Sequence, residues 1–411
     1  MKVINWGIYV IVFCLPLYLV RFKIFGIPTT ALEILIYVLF VFWLIKEFRF
    51  GEFKKLLTTH YSLLIAIILI LIGVSLATIF SSDLRTSAGI WKAWFIDPIL
   101  FFIVLVSTIK DSEQIRKVLY SLFLSGLVVS IIALIYLIFG KLDPSDRLQA
   151  FYTSPNYLAM YLAPALIIGV GYYLFTFLSR PSEAASGIRP RSSDPGRTPC
   201  PLGLITRKKT ISTTFILLSF GCLLLSLFFT YSYGAWLGII AAFGFGLFLY
   251  CFKLKKIELA VLFLCLFILA GLFLGYFALS FRAVSFNARL IIWQKALEIF
   301  KTNPIIGIGP GTFGNYFPAS PEGSIPQPHN IFLAFLLQTG ISGLIGFIWL
   351  VIYFFKTGIK NLEFGIANII LMAVMIYILI HGLVDTLYWK NDLAVVFWVI
   401  IGLILINKKE P

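Results

Sequence analysis

Long apolar runs alternate with short polar connections along nearly the whole chain. A helix that crosses a bilayer core needs about 20 apolar residues, and twelve runs approach or exceed that length. They lie at about 4–20, 27–45, 61–80, 93–109, 118–139, 155–178, 211–230, 234–252, 257–280, 329–355, 365–385 and 391–406. The pattern predicts an all-α, polytopic integral membrane protein with about 12 transmembrane helices.

Composition agrees with this fold class. The chain is 60% hydrophobic and only 12% charged, whereas about a quarter of the residues in a soluble domain are charged. The first run, 4–20, lacks a small-residue cleavage site, so we interpret it as a retained helix rather than a signal peptide. The five cysteines show no spacing typical of a disulfide framework or a thiolate metal site.

Basic residues set the predicted orientation. If the amino terminus is cytoplasmic, about two thirds of the 33 lysines and arginines fall in cytoplasmic connections, as the positive-inside rule requires. Both termini are then cytoplasmic. The net charge of +15 is largely explained by this topology, and no nucleic-acid partner is needed to account for it.

Two long polar segments divide the chain. Residues 180–210 are rich in Pro, Gly, Ser and Arg, which predicts a disordered cytoplasmic linker. Residues 281–328 lie outside and contain internal order. The predicted organisation is spans 1–6 in 1–179, the linker in 180–210, spans 7–9 in 211–280, an external catalytic loop between spans 9 and 10 in 281–328, and spans 10–12 with a short cytoplasmic tail in 329–411.

The external loop contains "NARLIIWQKALEIFKTNP", which has the pattern of an amphipathic helix. Asn287 is the predicted N-cap, and Asn303-Pro304 ends the helix. Arg289 falls on the apolar side in the predicted first turn. Arginine beside free backbone N–H groups favours a diphosphate site, but an arginine there also suits snorkelling to lipid headgroups. The helix alone does not decide between them.

A glycine-rich stretch follows, "GIGPGTFG". It lacks the GK[ST] of a nucleotide-binding loop and lies on the wrong side of the membrane for ATP. We therefore interpret it as a shaped turn or re-entrant loop.

His329 stands where this loop meets the tenth span. Position alone favours an interfacial helix cap. However, His381 and Asp385 are four residues apart near the external end of the next span, predicted on one helix face. Together with external arginines they predict an anion site with a base beside it. The candidate substrate-binding residues are Arg85, Arg147, Asn156, Tyr233, Arg282, Trp293, Asn330, His381 and Asp385. External acidic residues are scattered, so no metal or other cofactor is predicted.

These segments resemble the O-antigen ligase/polymerase superfamily. The resemblance rests on "RLIIWQKALEIFKTNPIIGIGPGTFGNYF", the "PHN" that leads into a glycine-rich span, and "RLQAFYTSPNYLAMYLAP" upstream. The closing segment "HGLVDTLYWKNDLAVVFWVIIG" is also similar. The likeness covers most of 140–405.

The resemblance implies a bacterial inner-membrane glycosyltransferase. Its donor partner would be a glycan on polyprenyl (undecaprenyl) diphosphate, and its acceptor a glycan, lipid or protein hydroxyl at the external face. The implied reaction is metal-independent and inverts the anomeric centre. Arg289 would hold the diphosphate, and His329 would activate the acceptor hydroxyl. One departure is Tyr233, which stands where relatives commonly carry an arginine. Either Arg282, Arg85 or Arg147 would then supply the second charge, or this branch would bind its donor differently.

Two alternatives stay open at this stage. A transporter of a small anion such as bicarbonate needs ionisable residues deep within several spans, and Glu33 and Asp97 are the main candidates. A non-catalytic scaffold for envelope polysaccharide assembly would tolerate substitution of His329 and Arg289.

Overall fold

The computed structural model describes residues 2–51, 58–178, 202–281, 283–316, 327–362 and 365–406. Helices dominate these residues, and one two-stranded antiparallel sheet accompanies them. The helices are α1 (Lys2–Phe13), α2 (Ala31–Lys46), α3 (Tyr61–Ile79), α4 (Leu84–Ile90), α5 (Asp97–Thr108), α6 (Ser112–Ile138), α7 (Pro155–Leu178), α8 (Leu202–Phe229), α9 (Tyr233–Lys253), α10 (Ile257–Phe281), α11 (Ala283–Thr302), α12 (Phe313–Tyr316), α13 (Ile331–Lys360), α14 (Ile366–Gly382) and α15 (Asn391–Ile406). A 3₁₀ turn (Leu15–Leu19) follows α1, a π-helical segment (Trp91–Ile96) joins α4 to α5, and the strands are β1 (Arg21–Ile24) and β2 (Ile27–Thr30).

Seven helical segments in this part of the chain are long and apolar enough to cross a membrane, and four shorter apolar helices accompany them. The predicted all-α polytopic class is therefore confirmed, whereas the count of twelve spans stays a prediction. A helix occupies at least part of every predicted span. Helices α14 and α15 are buried along most of their length, while α10 is almost entirely exposed.

The second predicted span begins later than expected. Residues 27–30 form β2, which pairs with β1 in a hairpin before α2 begins at Ala31. The turn contains Phe25 and Gly26, both with positive φ. Thr30 then caps α2 by accepting from the Glu33 N–H at 3.2 Å. The apolar pattern alone could not separate an apolar strand from the first turn of a helix.

Helix α8 begins at Leu202, within the predicted linker of 180–210. Its first turns contain "TRKK". Lysine and arginine have high helix propensities, and no proline follows Leu202 to interrupt the helix. The remainder of the predicted linker, 180–201, lies outside the described residues.

The amphipathic helix of the external loop is present as α11. It ends at Thr302, as the Asn303-Pro304 pair predicts, but it begins at Ala283 rather than after Asn287. The predicted N-cap is wrong because asparagine inside a helix costs well under 1 kcal/mol, so the turn before it continues the helix. Ala296 is fully buried on the predicted apolar face, and Lys295 pairs with Glu298 on the exposed face.

The glycine-rich stretch packs into a kink of α13. Gly340 interrupts that helix with φ 69°. The Ile308 N–H donates to the Leu337 carbonyl oxygen at 2.7 Å, and the Ile341 N–H donates to the Ile305 carbonyl oxygen at 3.2 Å. The loop is thus joined to the helix on both sides of the kink.

The glycines have no Cβ, and this allows the glycine-rich stretch to lie directly against the backbone of α13 and the Ser81 side chain. A Cβ at Gly340 would overlap the Ile305 carbonyl oxygen, and one at Gly309 would lie 2.6 Å from the Ser81 side chain. Gly307 also has positive φ and faces the Leu337 carbonyl. The prediction of a shaped turn agrees with this packing.

We expect Gly340→Ala to destabilise the protein. The new methyl group would strain the left-handed backbone and displace the glycine loop, at a cost of about 1–3 kcal/mol. Gly221→Ala is the matched control, since Gly221 lies in α8 and a Cβ there would have no neighbouring atom within 4 Å. Thermal unfolding in detergent should show a lower midpoint for Gly340→Ala only. Equal midpoints for the two variants would contradict the packing role.

Candidate functional site

A cavity of about 300 Å³ lies where the ends of three helices meet. Asn156 stands at the start of α7, Tyr233 at the start of α9, and His381 at the end of α14. In the predicted topology all three helix ends are on the same side of the membrane. The predicted site residues that line the cavity are Arg147, Asn156, Tyr233, Arg289, His381 and Asp385.

Several residues of the cavity lining are apolar. They are Leu237 of α9, Leu274 and Gly275 of α10, and Phe286 of α11. Only 6% of the Ile257–Tyr276 stretch of α10 is buried, so we assign the outer surface of this helix to lipid. The lining thus contains a group of charged and polar residues, the charged wall, and a group of apolar residues, the apolar wall.

Arg147 is fixed within the charged wall. Its Nε donates to the Thr230 carbonyl oxygen at 2.8 Å, and its Nη2 donates to Asn156 Oδ1 at 2.8 Å. Asp143 holds the arginine's own backbone, because its carboxylate accepts from the Arg147 N–H at 2.8 Å. The guanidinium is thus oriented before any ligand binds.

Asn156 joins this arginine to a buried carboxylate. Its Nδ2 donates to Asp385 Oδ2 at 2.9 Å while its Oδ1 accepts from Arg147. An asparagine can make both bonds because its amide carries a donor group and an acceptor atom.

Asp385 also contacts His329. The His329 Nδ1 lies 3.2 Å from Asp385 Oδ1, and the Thr386 N–H donates to the same oxygen at 3.0 Å. The aspartate side chain is 3% exposed and that of the histidine is 32% exposed. An ionised carboxylate favours the tautomer with the proton on Nδ1, which leaves the His329 Nε2 as an acceptor.

The electrostatic surroundings keep Asp385 ionised. Burial by itself would raise the pKa of Asp385, but the charge and hydrogen bond of His329, with lesser help from His381 and Arg289, lower that pKa to about 2. The carboxylate is therefore charged across the physiological pH range.

The backbone of His329 is held in an unusual conformation. Its φ of 48° lies in the left-handed region, which costs a non-glycine residue about 1–3 kcal/mol. Trp293 Nε1 donates to the preceding Pro328 carbonyl oxygen at 3.1 Å. Asn330 caps α13 by accepting from the Phe332 and Leu333 N–H groups, and its Nδ2 donates to the Leu383 carbonyl oxygen. Trp293 and Asn330 thus position the histidine from both sides.

Arg289 reaches the cavity from α11. Its Nε donates to the Val384 carbonyl oxygen at 3.0 Å. Because α11 begins at Ala283, this arginine lies beyond the first turn, and the predicted pairing with free N–H groups of a helix start is wrong. The guanidinium itself lines the cavity as a partly buried cation.

His381 lies in the last turn of α14, whereas Asp385 lies in the loop after it. The predicted common helix face is therefore wrong, because α14 ends at Gly382, although both side chains reach the same cavity. His381 Nδ1 is 2.8 Å from the hydroxyl of Tyr377, which donates to the Ala159 carbonyl oxygen. The missing side chain of Gly234 leaves room for the histidine ring, since a Cβ there would lie 2.8 Å from it.

Two of the predicted arginines, Arg85 and Arg282, are not among the residues described as lining the cavity. Arg85 lies on α4 and is not among the described residues that line the cavity. Arg282 lies outside the described residues. Tyr233 lines the cavity at the start of α9. The sequence did not indicate Tyr377, although its position four residues before His381 on one helix is a usable signal.

The fold and the cavity define a multi-pass helical membrane protein with a charged pocket at one end of its helix bundle. Residues 218–348 match the family model of O-antigen ligase. This match confirms the resemblance of the chain to the O-antigen ligase/polymerase superfamily, and the matched range includes Tyr233, Arg289 and His329. No curated protein matches the chain.

Within the described residues, no group of three His, Cys, Asp or Glu side chains is arranged to hold a metal ion.

Glu33 and Asp97, the two acidic residues considered for a transport path, each contact polar side chains of the protein. Glu33 pairs with Lys92 and accepts from the Thr29 hydroxyl, while Asp97 accepts from the Tyr37 hydroxyl at 2.7 Å.

The low pKa of Asp385 predicts a specific acid response. An aspartate in an unfolded chain titrates near about 3.9, so the native state favours the ionised form. Its contribution to stability is fully present above about pH 4 and is lost as the pH falls towards 2. Asp385→Asn should therefore be less stable near neutrality and should lose less of its stability on acidification.

Thermal midpoints measured from pH 7 to pH 3 test this response. Asp146→Asn is the control, because that aspartate is exposed in the loop between α6 and α7. Parallel curves for wild type and Asp385→Asn would contradict the assigned charge.

Proposed function

We propose that the protein transfers a glycan from a polyprenyl diphosphate carrier to an acceptor hydroxyl at the external face of the cytoplasmic membrane. One observation carries this proposal: Asp385, which contacts His329, lines a cavity together with two arginines and several apolar side chains. The family match supports glycan-transfer activity in general. The donor, the mechanism and the membrane side belong to the proposal.

The cavity suits a lipid-linked diphosphate. Arg147 and Arg289 offer guanidinium groups to phosphate oxygens, a pairing that arginine makes with particular strength. The apolar wall of Leu237, Leu274 and Phe286 suits the first isoprene units of the carrier. A ligand with an anionic head and an apolar tail matches both walls at once.

His329 acts as the general base in this mechanism. The Asp385 carboxylate accepts from Nδ1–H, so Nε2 takes the proton of the acceptor hydroxyl. As that proton leaves, the acceptor oxygen bonds to the anomeric carbon from the side opposite the diphosphate. The bond from that carbon to the phosphate oxygen breaks, and the diphosphate departs with the electron pair.

The two arginines stabilise the charge that develops on the leaving group. Preorganised charges are effective here because they need no reorganisation as the bond breaks. Attack opposite the leaving group inverts the anomeric centre. The proposed reaction needs no metal, because the guanidinium groups meet the diphosphate.

Arg147 supplies the second charge in this proposal. Of the three arginines considered as substitutes for the one expected at Tyr233, Arg147 is the one described as lining the cavity. Its contacts with Thr230 and Asn156 hold it on the same wall as Tyr233.

The acceptor class stays open between a lipid A core, a growing repeat-unit polymer and a protein. These alternatives share the chemistry of the attacking hydroxyl, so the cavity residues do not separate them.

We expect His329→Ala and Arg289→Ala each to lower glycan transfer by roughly 100- to 10,000-fold, because one loses the base and the other loses leaving-group stabilisation. The assay uses purified full-length protein, a polyprenyl-diphosphate glycan and an acceptor glycan. Membrane insertion should stay near wild type, whereas His329→Ala should also lower the thermal midpoint because buried Asp385 loses a partner.

His60→Ala and Arg116→Ala are the matched controls. His60 contacts Tyr353 at 2.7 Å, and both controls lie at the predicted cytoplasmic side. Normal transfer by His329→Ala would refute the catalytic role. Uptake of a small anion by proteoliposomes without any donor would favour a transporter instead.

A charge-relocation experiment tests Arg147. We expect Arg147→Gln to raise the KM for the donor about tenfold or more, since a charge-assisted contact with phosphate is lost. Adding Tyr233→Arg to that variant should recover part of the loss, because position 233 faces the same cavity. Tyr233→Phe is the control for loss of the tyrosine. An unchanged donor KM in Arg147→Gln would assign the second charge to another residue.

A further inference from the structure

A second polar site lies beside the cavity, where the loop after α14 meets the segment before α7. Lys390 extends over the ring of Tyr157, with its Nζ 3.5 Å from the ring centroid. The same nitrogen donates to the Thr153 hydroxyl oxygen at 3.2 Å. Thr153 is exposed and Tyr157 is partly exposed, so a ligand can reach this site.

The ammonium group of Lys390 forms no ion pair with a carboxylate in the described part of the chain. Burial lowers the pKa of Lys390 to about 8, the charge of Asp392 offsets this only in part, and Arg21 adds to the positive potential. A partly desolvated cation that lacks a direct counter-ion gains from binding an anion.

The acidic side chains of this region already have other partners. Asp392 accepts from the Leu393 N–H at 2.9 Å and from the Tyr152 hydroxyl at 3.4 Å. Asp385 accepts from Asn156 and contacts His329. Neither carboxylate is free to move to Lys390 without breaking these contacts.

The site is coupled to the cavity through adjacent residues. Asn156 lines the cavity, and the next residue, Tyr157, lies under Lys390. The subsite is thus adjacent to the cavity along the chain, and the proposal takes the glycan to extend from the cavity towards Lys390.

We propose that Lys390, Thr153 and Tyr157 form a subsite for a carboxylate or phosphate carried by the glycan substrate. The inference rests on the proposed function, since glycan binding at the cavity brings the anion to the subsite. Arg147 and Arg289 meet the diphosphate, so the anion at Lys390 is a separate group, such as that of a uronic acid or a sugar phosphate.

Substrate pairs that differ in one charge test the subsite. Full-length protein in phosphatidylcholine nanodiscs is given acceptor oligosaccharides that carry either glucose or glucuronic acid, and donors that differ in the same way. We expect wild type to prefer the acidic member of one pair. Lys390→Gln should lower the acidic-to-neutral ratio of kcat/KM about tenfold, mainly through KM, and Lys390→Arg should retain most of it.

Which pair shows the preference identifies the acidic substrate as acceptor or donor. Lys141→Gln is the matched control, because Lys141 also lies over an aromatic ring, that of Tyr136, in an external loop. A ratio that is unchanged in Lys390→Gln would overturn the proposal and leave Lys390 a structural contact.

A binding measurement separates this inference from the proposed function. Equilibrium binding of the two oligosaccharides is measured with the His329→Ala variant, with and without Lys390→Gln. Charge-selective binding that depends on Lys390, together with no transfer by the wild-type protein, would refute the proposed function and support the subsite. In nanodiscs doped with phosphatidylglycerol, Lys390-dependent retention of that lipid without glycan selectivity would overturn the subsite in favour of a lipid-headgroup contact.

Discussion

The carboxylate of Asp385 is almost fully buried and stays ionised, and a charge at such depth is stable only if both of its oxygens have partners. Asn156 binds one oxygen, and His329 and the Thr386 N–H bind the other. These partners come from the start of α7, the end of the external loop and the loop after α14. The arrangement of the cavity therefore depends on satisfying this one charge.

The buried charge of Asp385 also determines the tautomer and the position of the His329 ring. Charge on Asp385 favours the ring tautomer that leaves Nε2 as an acceptor, while Trp293 and Asn330 hold the flanking backbone. A left-handed histidine is costly by itself, and it persists because several independent contacts determine its position. The preorganised ring is suited to accept a proton from a hydroxyl without rearrangement.

The glycine-rich stretch connects the two elements that carry the proposed catalytic residues. It follows α11, which carries Arg289, and it packs against the kink of α13. His329 lies just before the first residue of α13. Hydrogen bonds on both sides of Gly340 fix the loop against the helix. This backbone packing helps to fix the arginine and the histidine relative to each other.

Much of the site could be predicted because its residues carry local signals. His329 stands where a polar loop meets an apolar run, Arg289 lies on the apolar side of an amphipathic helix, and Asn156 follows a proline at the start of a span. The substrate-binding role of Asp385 stays a prediction, and the structure adds the contact of this residue with His329. That contact depends on where α14 ends, which a continuous apolar run does not reveal.

The sequence by itself determined the membrane-helical class, the position of the loop helix and most of the polar residues of the cavity. Hydrophobic periodicity and turn residues are local properties, so they can be read along the chain. Only the tertiary structure decided that Arg147 rather than Arg85 lies at the cavity, that Asn156 bridges Arg147 to Asp385, and that Lys390 lies over Tyr157. These pairings join distant segments, and they follow from packing and charge compensation rather than from spacing along the chain.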